Sequence, residues 1–455
     1  MKNRREFLKQ AVLLGSSTLM LSNSIYAKKL SINNIPSKRA IVIGAGFAGL
    51  AAAYKLKNNG WEVVLLESRD RIGGRVFSHK ITADNIVELG AEWVGASHER
   101  VIELCNDFGL KLNNNQFETN FIYQGKFTKK NTWGYSKVWR EKLNSIILEY
   151  KKLSSQDRVK YDSYDWWRFL VNNGCEGVDL DLHELIDSTD FGESIRHVSA
   201  AAAIEEYAES SPNNEMDFKI EGGNSQLAFR LADKIGHDNI LLSHHVAEVQ
   251  QGEGVKVICT NGKVFEGEKL ICSMPTFAMK KVKWFPSLPE DKLDAINELQ
   301  YARINKHAIA FKDRFWKDEA FDLVTDELPH YFYHATKGQQ GDTGTLISYT
   351  IGDKAAVIAN RPSQHVLDDI RKSLEGQFGD VSSKVINQVN YYWGNDKYSF
   401  GAYALYGPGQ WYRLRTILSS PFMHTHFAGE HLADWQGFME GAINTGEDAA
   451  DQIIG

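Results

Sequence analysis

The chain has 455 residues, 43% hydrophobic and 24% charged, an ordinary globular composition with room for two or three domain-sized units. A formal charge of -6 without any dense Lys/Arg block removes the electrostatic case for a nucleic-acid partner and favours a small-molecule ligand. The four cysteines, Cys105, Cys175, Cys259 and Cys272, lie far apart with no C-x-x-C pair, so they read as mostly buried thiols and no metal site is expected, while a disulfide stays open outside the cytoplasm without the spacing naming a pair.

The first element is Met1-Lys2-Asn3-Arg4-Arg5, a twin arginine followed by an apolar stretch from Ala11 to Met20 and small or polar residues to Ala27. It resembles a twin-arginine export signal. The resemblance implies residues 1–27 as a signal peptide, passage through the Tat translocation machinery, and a periplasmic or secreted protein. Cleavage is placed after Ala27, although Ile25 stands where a smaller residue is usual. The apolar run falls short of the roughly 20 residues that span a bilayer. Export in the folded state suits a protein that loads its cofactor in the cytoplasm.

Next comes a buried strand, Ala40-Ile41-Val42-Ile43, which runs into Gly44-Ala45-Gly46-Phe47-Ala48-Gly49 and an alanine-rich helix through Lys57. Gly60 stops that helix, and a second strand covers Glu62 to Glu67. A G-x-G-x-x-G between strand and helix, inside one βαβ unit of about 30 residues, is a dinucleotide cradle. Gly44 permits the turn, Gly46 lets the backbone approach a pyrophosphate, and Gly49 lets helix and strand pack closely. Glu67 ends the second strand where a carboxylate can accept ribose hydroxyls. The following Arg69-Asp70-Arg71-Ile72-Gly73-Gly74-Arg75 puts backbone N–H groups and a guanidinium beside phosphates, extending the anion site along a cofactor longer than the fingerprint requires.

With R-x-G-G-R after the fingerprint, the sequence resembles the flavin-containing amine oxidase family. Further blocks agree: Glu221-Gly222-Gly223-Asn224-Ser225-Gln226-Leu227, the strand Val246-Ala247-Glu248-Val249, and Phe427-Ala428-Gly429-Glu430 through Gly437-Phe438-Met439-Glu440-Gly441-Ala442. The resemblance implies an α/β fold, with a Rossmann-like FAD-binding domain (38–80, 215–285, 393–455) interleaved with a mixed α+β substrate-binding domain (81–214, 286–392). It places FAD against Gly44, Gly46, Phe47, Ala48, Gly49, Glu67, Arg69, Gly74, Arg75, Glu92, Trp93 and Val246. At the C-terminal block it adds Gly429, Glu430, Phe438 and Met439. Glu430 can hydrogen-bond the ribityl chain, and the helix opened by Met439 can turn its amides to the flavin.

In the substrate half, Lys306 interrupts the largely apolar stretch Ile304 to Phe311. In the resembling oxidases a lysine before such a strand holds a water against the flavin. Trp393 and the segment Tyr398 to Tyr403 match the approach to one cage aromatic, Tyr403, and Phe438 matches the other. Two parallel rings would orient a neutral amine. Ala402 stands where some relatives carry a cysteine bonded to FAD, so non-covalent FAD is expected.

Glu88-Leu89-Gly90-Ala91-Glu92-Trp93-Val94-Gly95 resembles the amine branch, without the arginine that commonly follows this turn in L-amino acid oxidases. Arg100 is expected to face solvent on a helix. The favoured reaction is oxidation of a small amine to an imine, with oxygen or a periplasmic electron acceptor taking the electrons. An L-amino acid oxidase and a catalytically silent flavin-binding partner subunit stay open, as does a homodimer. Polyamines would call for acids at the tunnel mouth, where Glu92 or His98 can serve, although an exposed surface role is expected for both. His244-His245 is read as structural, since adjacent strand residues face opposite ways.

Overall fold

A computed structural model describes residues 37–434 and 436–455. The twin-arginine segment and the Ala27 cleavage position lie outside the described residues.

The first unit is a strand–helix–strand: β1 (Arg39–Ile43), α1 (Phe47–Asn58) and β2 (Glu62–Leu66). β1 and β2 are central strands of a five-stranded parallel sheet whose order is Thr425–Phe427, Lys269–Cys272, β1, β2, Ile240–Leu241. Both faces of this sheet are covered, which is why the strands read as continuous apolar runs. Ala40, Val42, Val63 and Leu65 enter one core, and Ile41, Ile43, Val64 and Leu66 enter the other. That split is the period-2 alternation of a strand.

The small residues of α1 let the C-terminal helix, Met439–Ile454, lie directly against it. At Gly446 a Cβ would stand 2.1 Å from the Ala48 carbonyl oxygen, so no larger residue fits at that crossing. The two helices thus bring their N-termini to the same edge of the sheet. A second sheet, Val264–Gly267, Val255–Cys259, Val246–Gln251, Lys283–Phe285, packs on the other face. The hairpin between Val255–Cys259 and Val264–Gly267 turns at Asn261-Gly262, with Gly262 at φ +81°.

The other half is built on a seven-stranded sheet, in the order Val385–Tyr392, Ile304–Phe311, Gly344–Ile351, Tyr331–His334, Phe321–Thr325, Glu118–Tyr123, Lys126–Thr128. It is antiparallel apart from the Phe321–Thr325 and Glu118–Tyr123 pair. The two sheets therefore draw on alternating stretches of chain.

Two helices pack elsewhere than the segment limits drawn from sequence. Glu99–Asp107 buries Val101, Leu104 and Cys105 in the β1 core, and Glu290–Glu298 buries Ala295 and Ile296 beneath the second sheet. An amphipathic stripe announces that a helix has a core partner without saying which core.

Candidate active site

One long cleft runs from the β1–α1 turn to the seven-stranded sheet, with about 2330 Å³ of unfilled space counting its open mouth. At the first end stand Gly44, Gly46, Phe47, Ala48 and Glu67. Gly46 is the N-cap of α1, and no side chain caps it. The N–H groups of that first turn are therefore free to meet an anion. A Cβ at Gly46 would have nothing nearer than the Gly74 Cα at 3.9 Å, so the glycine leaves a vacancy on the cleft side. Gly49 is different, since a Cβ there would sit 1.9 Å from the Gly44 carbonyl oxygen. The first glycine makes room for a ligand and the second makes room for the fold.

Glu67 accepts from the amides of Ala45 (2.7 Å) and Arg69 (2.8 Å). Burial pushes its pKa up, with those amides pulling the other way. A carboxylate has about four lone-pair sites, so capacity for ribose hydroxyls is left.

The arginines of the R-x-G-G-R stretch are more committed than the sequence reading had them. Arg69 is gripped in a fork by Asp396 (2.7 and 2.7 Å), and Arg75 pairs with Glu430 (2.5 Å) and donates to the Ala402 carbonyl (2.7 Å). Glu430 also accepts from the amides of Ala404 and Gly437, so it fastens three segments of the cleft wall together. Gly74, Val246, Gly429 and Met439 line the cleft as well.

At the second end Lys306 stands on the fully buried strand Ile304–Phe311. It shares a face with Ile304 and Ala308, while Ile309 and Phe311 point to the opposite core. Its register neighbour is Tyr349, which pairs in turn with Tyr331. The Lys306 ammonium lies 5.5–5.7 Å from the ring centres of Trp93, Tyr333 and Tyr349. It donates to the carbonyls of Glu88 (3.1 Å) and Gly90 (2.8 Å) and to Glu92 (3.2 Å). An ammonium has three donors, so holding a water would require exchanging one of these contacts. Burial pulls the Lys306 pKa below its ordinary value, with Glu92 opposing.

Glu92 is 1% exposed and also accepts from Lys219 (2.9 Å) and Tyr333 (2.6 Å). Burial works against its charge, but the ammonium groups of Lys219 and Lys306 outweigh it and hold the pKa below the usual range. The expected surface role at a tunnel mouth is therefore corrected: Glu92 is the counter-ion of two buried lysines. The same correction applies to His98, which is 0% exposed, accepts from the Gly95 amide (2.9 Å) and meets Phe438 edge-on at 5.0 Å. Burial drives its pKa down to about 3. Arg100 sits on a helix as expected, with its side chain 24% exposed, and its guanidinium is engaged by Glu447 of the C-terminal helix and by Glu103.

Tyr403, Phe438 and Trp393 line the cleft beside Lys306. The Tyr403 hydroxyl donates to the Asp190 carbonyl (2.7 Å) and meets the Tyr349 hydroxyl at 3.1 Å, which fixes the ring by its edge. The Trp393 indole donates to the Leu89 carbonyl (2.7 Å).

Next to Tyr403, whose hydroxyl reaches the Asp190 carbonyl, the cleft forms a chamber lined by Asp190, Glu206, Asn214, Met216, Asp322 and Gln436. None of these was singled out from sequence. Asp187 and Asp190 are three apart near the end of a helix, Gly177–Phe191, with buried positions, a pattern that held the only available hint. His245, read as structural, lines the cleft at the adenosine end, with its Nδ1 3.1 Å from the Ser68 hydroxyl.

An uncapped helix terminus beside a glycine that leaves room on the cleft side, joined by one cleft to an aromatic pocket with a buried lysine, is the layout of an enzyme built around a dinucleotide cofactor. A family model described as flavin containing amine oxidoreductase matches residues 47–454, and the chain belongs to that family. Its cofactor is FAD. Among relatives, amine oxidase [flavin-containing] B of Sus scrofa is 25% identical, over 91% of this chain and 85% of that one. L-amino-acid oxidase of Crotalus adamanteus is 26% identical, over 91% and 87%. The structure of cyclohexylamine oxidase from Brevibacterium oxydans superposes with a TM-score of 0.82 at 22% identity, covering 93% of this chain and 99% of that one. That last likeness establishes the fold.

Proposed function

We propose that the chain is an FAD-dependent oxidase of small amines rather than of L-amino acids. The observation that carries this reading is the acidic lining of the chamber. Among the described residues its wall presents Asp190, Glu206 and Asp322, and Lys306, which lines the same cleft, is already ion-paired to Glu92. A substrate carboxylate would meet three acids and no free cation there. The cationic residues of the cleft, Arg69, Arg75, Lys281 and Lys397, stand toward the cofactor end.

FAD, when bound, supplies the acceptor for two electrons. The chain's own residues do the rest. Gly46, the first turn of α1, Glu67 and the Gly73-Gly74 turn would hold the dinucleotide, and Ala402 offers no nucleophile for a covalent link. Tyr403 and Phe438 wall the approach to the reacting carbon, excluding water and favouring the neutral amine. Lys306 is the proton-bearing group beside that centre. The carbon–hydrogen bond next to nitrogen gives up two electrons and a proton, the nitrogen gives up a second proton, and a C=N bond forms. Water then splits the imine into a carbonyl compound and ammonia or a smaller amine, and oxygen takes two electrons and two protons to become hydrogen peroxide.

The test is anaerobic mixing of the yellow protein with a panel of amines. Bleaching by at least one of them supports the oxidase, whereas no bleaching by any would favour a silent flavin-binding subunit. Lys306→Met is expected to slow flavin reduction or reoxidation at least about tenfold, within the range typical of a positioned proton-transfer group.

We also propose export through the Tat machinery, on the strength of Arg4-Arg5 and the short apolar run that follows. Periplasmic material whose N-terminus is still Met1 would refute cleavage after Ala27.

A further inference from the structure

We propose that the chamber holds a second ammonium group, so that the preferred substrate is a short aliphatic diamine. This deepens the amine-oxidase reading above and rests on it. The chamber is acidic from several elements at once: Asp190 from the helix Gly177–Phe191, Glu206 from the helix Ala200–Glu209, and Asp322 from the strand Phe321–Thr325.

Its polar atoms are also incompletely satisfied. Asp322 is 1% exposed; one of its oxygens takes the hydroxyls of Tyr331 (2.9 Å) and Thr119 (3.1 Å), and the other, Oδ1, has no partner. Gln436 is 6% exposed and lines the same space, with its amide oxygen unpartnered. Asp190 is approached by the Tyr207 hydroxyl at 3.0 Å. Buried acceptors left without donors are costly, and an ammonium supplies three donors and no acceptor. Two separate orphan acceptors therefore call for the same kind of ligand as the charge does. Burial, with repulsion from the neighbouring Asp187, pushes Asp190 up to about 7, and burial pushes Asp322 up to about 7, states that a bound cation would reverse.

The chamber is also correctly placed relative to the reacting end. The Asp190 main chain accepts the Tyr403 hydroxyl, and Gln436 lies two residues before Phe438. The chamber thus adjoins the aromatic pair. One nitrogen of a diamine would lie neutral between the rings while the other stays charged among the carboxylates.

The experiment compares 1,4-diaminobutane with 1-aminobutane by anaerobic stopped-flow reduction of the flavin-loaded enzyme. Wild type is expected to favour the diamine in kcat/KM by roughly 10- to 100-fold, the range of one or two charge-assisted hydrogen bonds. In Glu206→Gln and Asp190→Asn that ratio should fall by a comparable factor. A wild-type ratio near one overturns the proposal, and so does a ratio unchanged in both variants, while monoamine reduction leaves the amine-oxidase reading standing. Failure of every amine to reduce a bound flavin overturns both. The wild-type ratio decides the matter even if one variant does not fold.

Discussion

Replacing Glu92 by glutamine would leave two buried lysines without their shared counter-charge. The carboxylate oxygens stand 2.9 Å from the Lys219 nitrogen and 3.2 Å from that of Lys306, with side-chain exposures of 0% for the acid and 10% and 4% for the lysines. At an effective dielectric constant near 20, each attraction is worth about 5–6 kcal/mol before dehydration is counted. Dehydration of the three groups offsets most of it, so the expected loss is that of breaking a buried pair, about 3–5 kcal/mol. Glutamine still accepts from Tyr333 or from one lysine, which points to the lower end. The assay is urea unfolding followed by tryptophan fluorescence, on wild type, Glu92→Gln, Lys306→Met and the double variant. The double variant should be less destabilised than the sum of the singles by at least about 1 kcal/mol, because removing Lys306 relieves one of the stranded charges. A Glu92→Gln protein within about 0.5 kcal/mol of wild type would refute the counter-ion role.

Three other outcomes follow from the same geometry. Gly46→Ala should fold with its flavin content reduced, because the added methyl enters the cleft, whereas Gly49→Ala should lose the fold, its methyl meeting the Gly44 carbonyl oxygen at 1.9 Å; absorbance per mole of folded protein separates the two. Acid precipitation should leave the yellow colour in the supernatant, since Ala402 has no group to bond FAD, and a yellow pellet would contradict this. Asp322, raised by burial to about 7 from an ordinary value of 3.8, contributes stability that is present below 3.8 and lost as pH rises through 7. Between pH 4 and 7 the stability of Asp322→Asn apoprotein should therefore rise with pH more steeply than that of wild type, by about 1.4 kcal/mol per pH unit.

The cofactor end was legible in the sequence because its chemistry is local. Gly44, Gly46, Gly49 and Glu67 sit within one strand–helix–strand unit, and spacing alone dictates where they meet. Lys306 was legible for another reason, as a charge in an apolar strand is a visible anomaly. What lies around it was not. Glu92 reads as an ordinary exposed acid until the fold brings Lys219 and Lys306, 127 and 214 residues away, to its two oxygens. The chamber is less visible still, since Asp190, Glu206, Asp322 and Gln436 come from four distant stretches and each resembles a solvated residue in its own context. Pairing across the chain also hid the partner of Arg100, since Glu447 lies on the last helix.

The central claim is that this cleft accepts an amine and rejects a carboxylate beside it. The direct measurement is anaerobic flavin reduction by matched pairs that differ by that one group, such as 2-phenylethylamine against L-phenylalanine and 1-aminobutane against L-norvaline. Reduction by the amines at least about a hundredfold faster than by the amino acids is the expected result. Equal or faster reduction by the amino acids would contradict it.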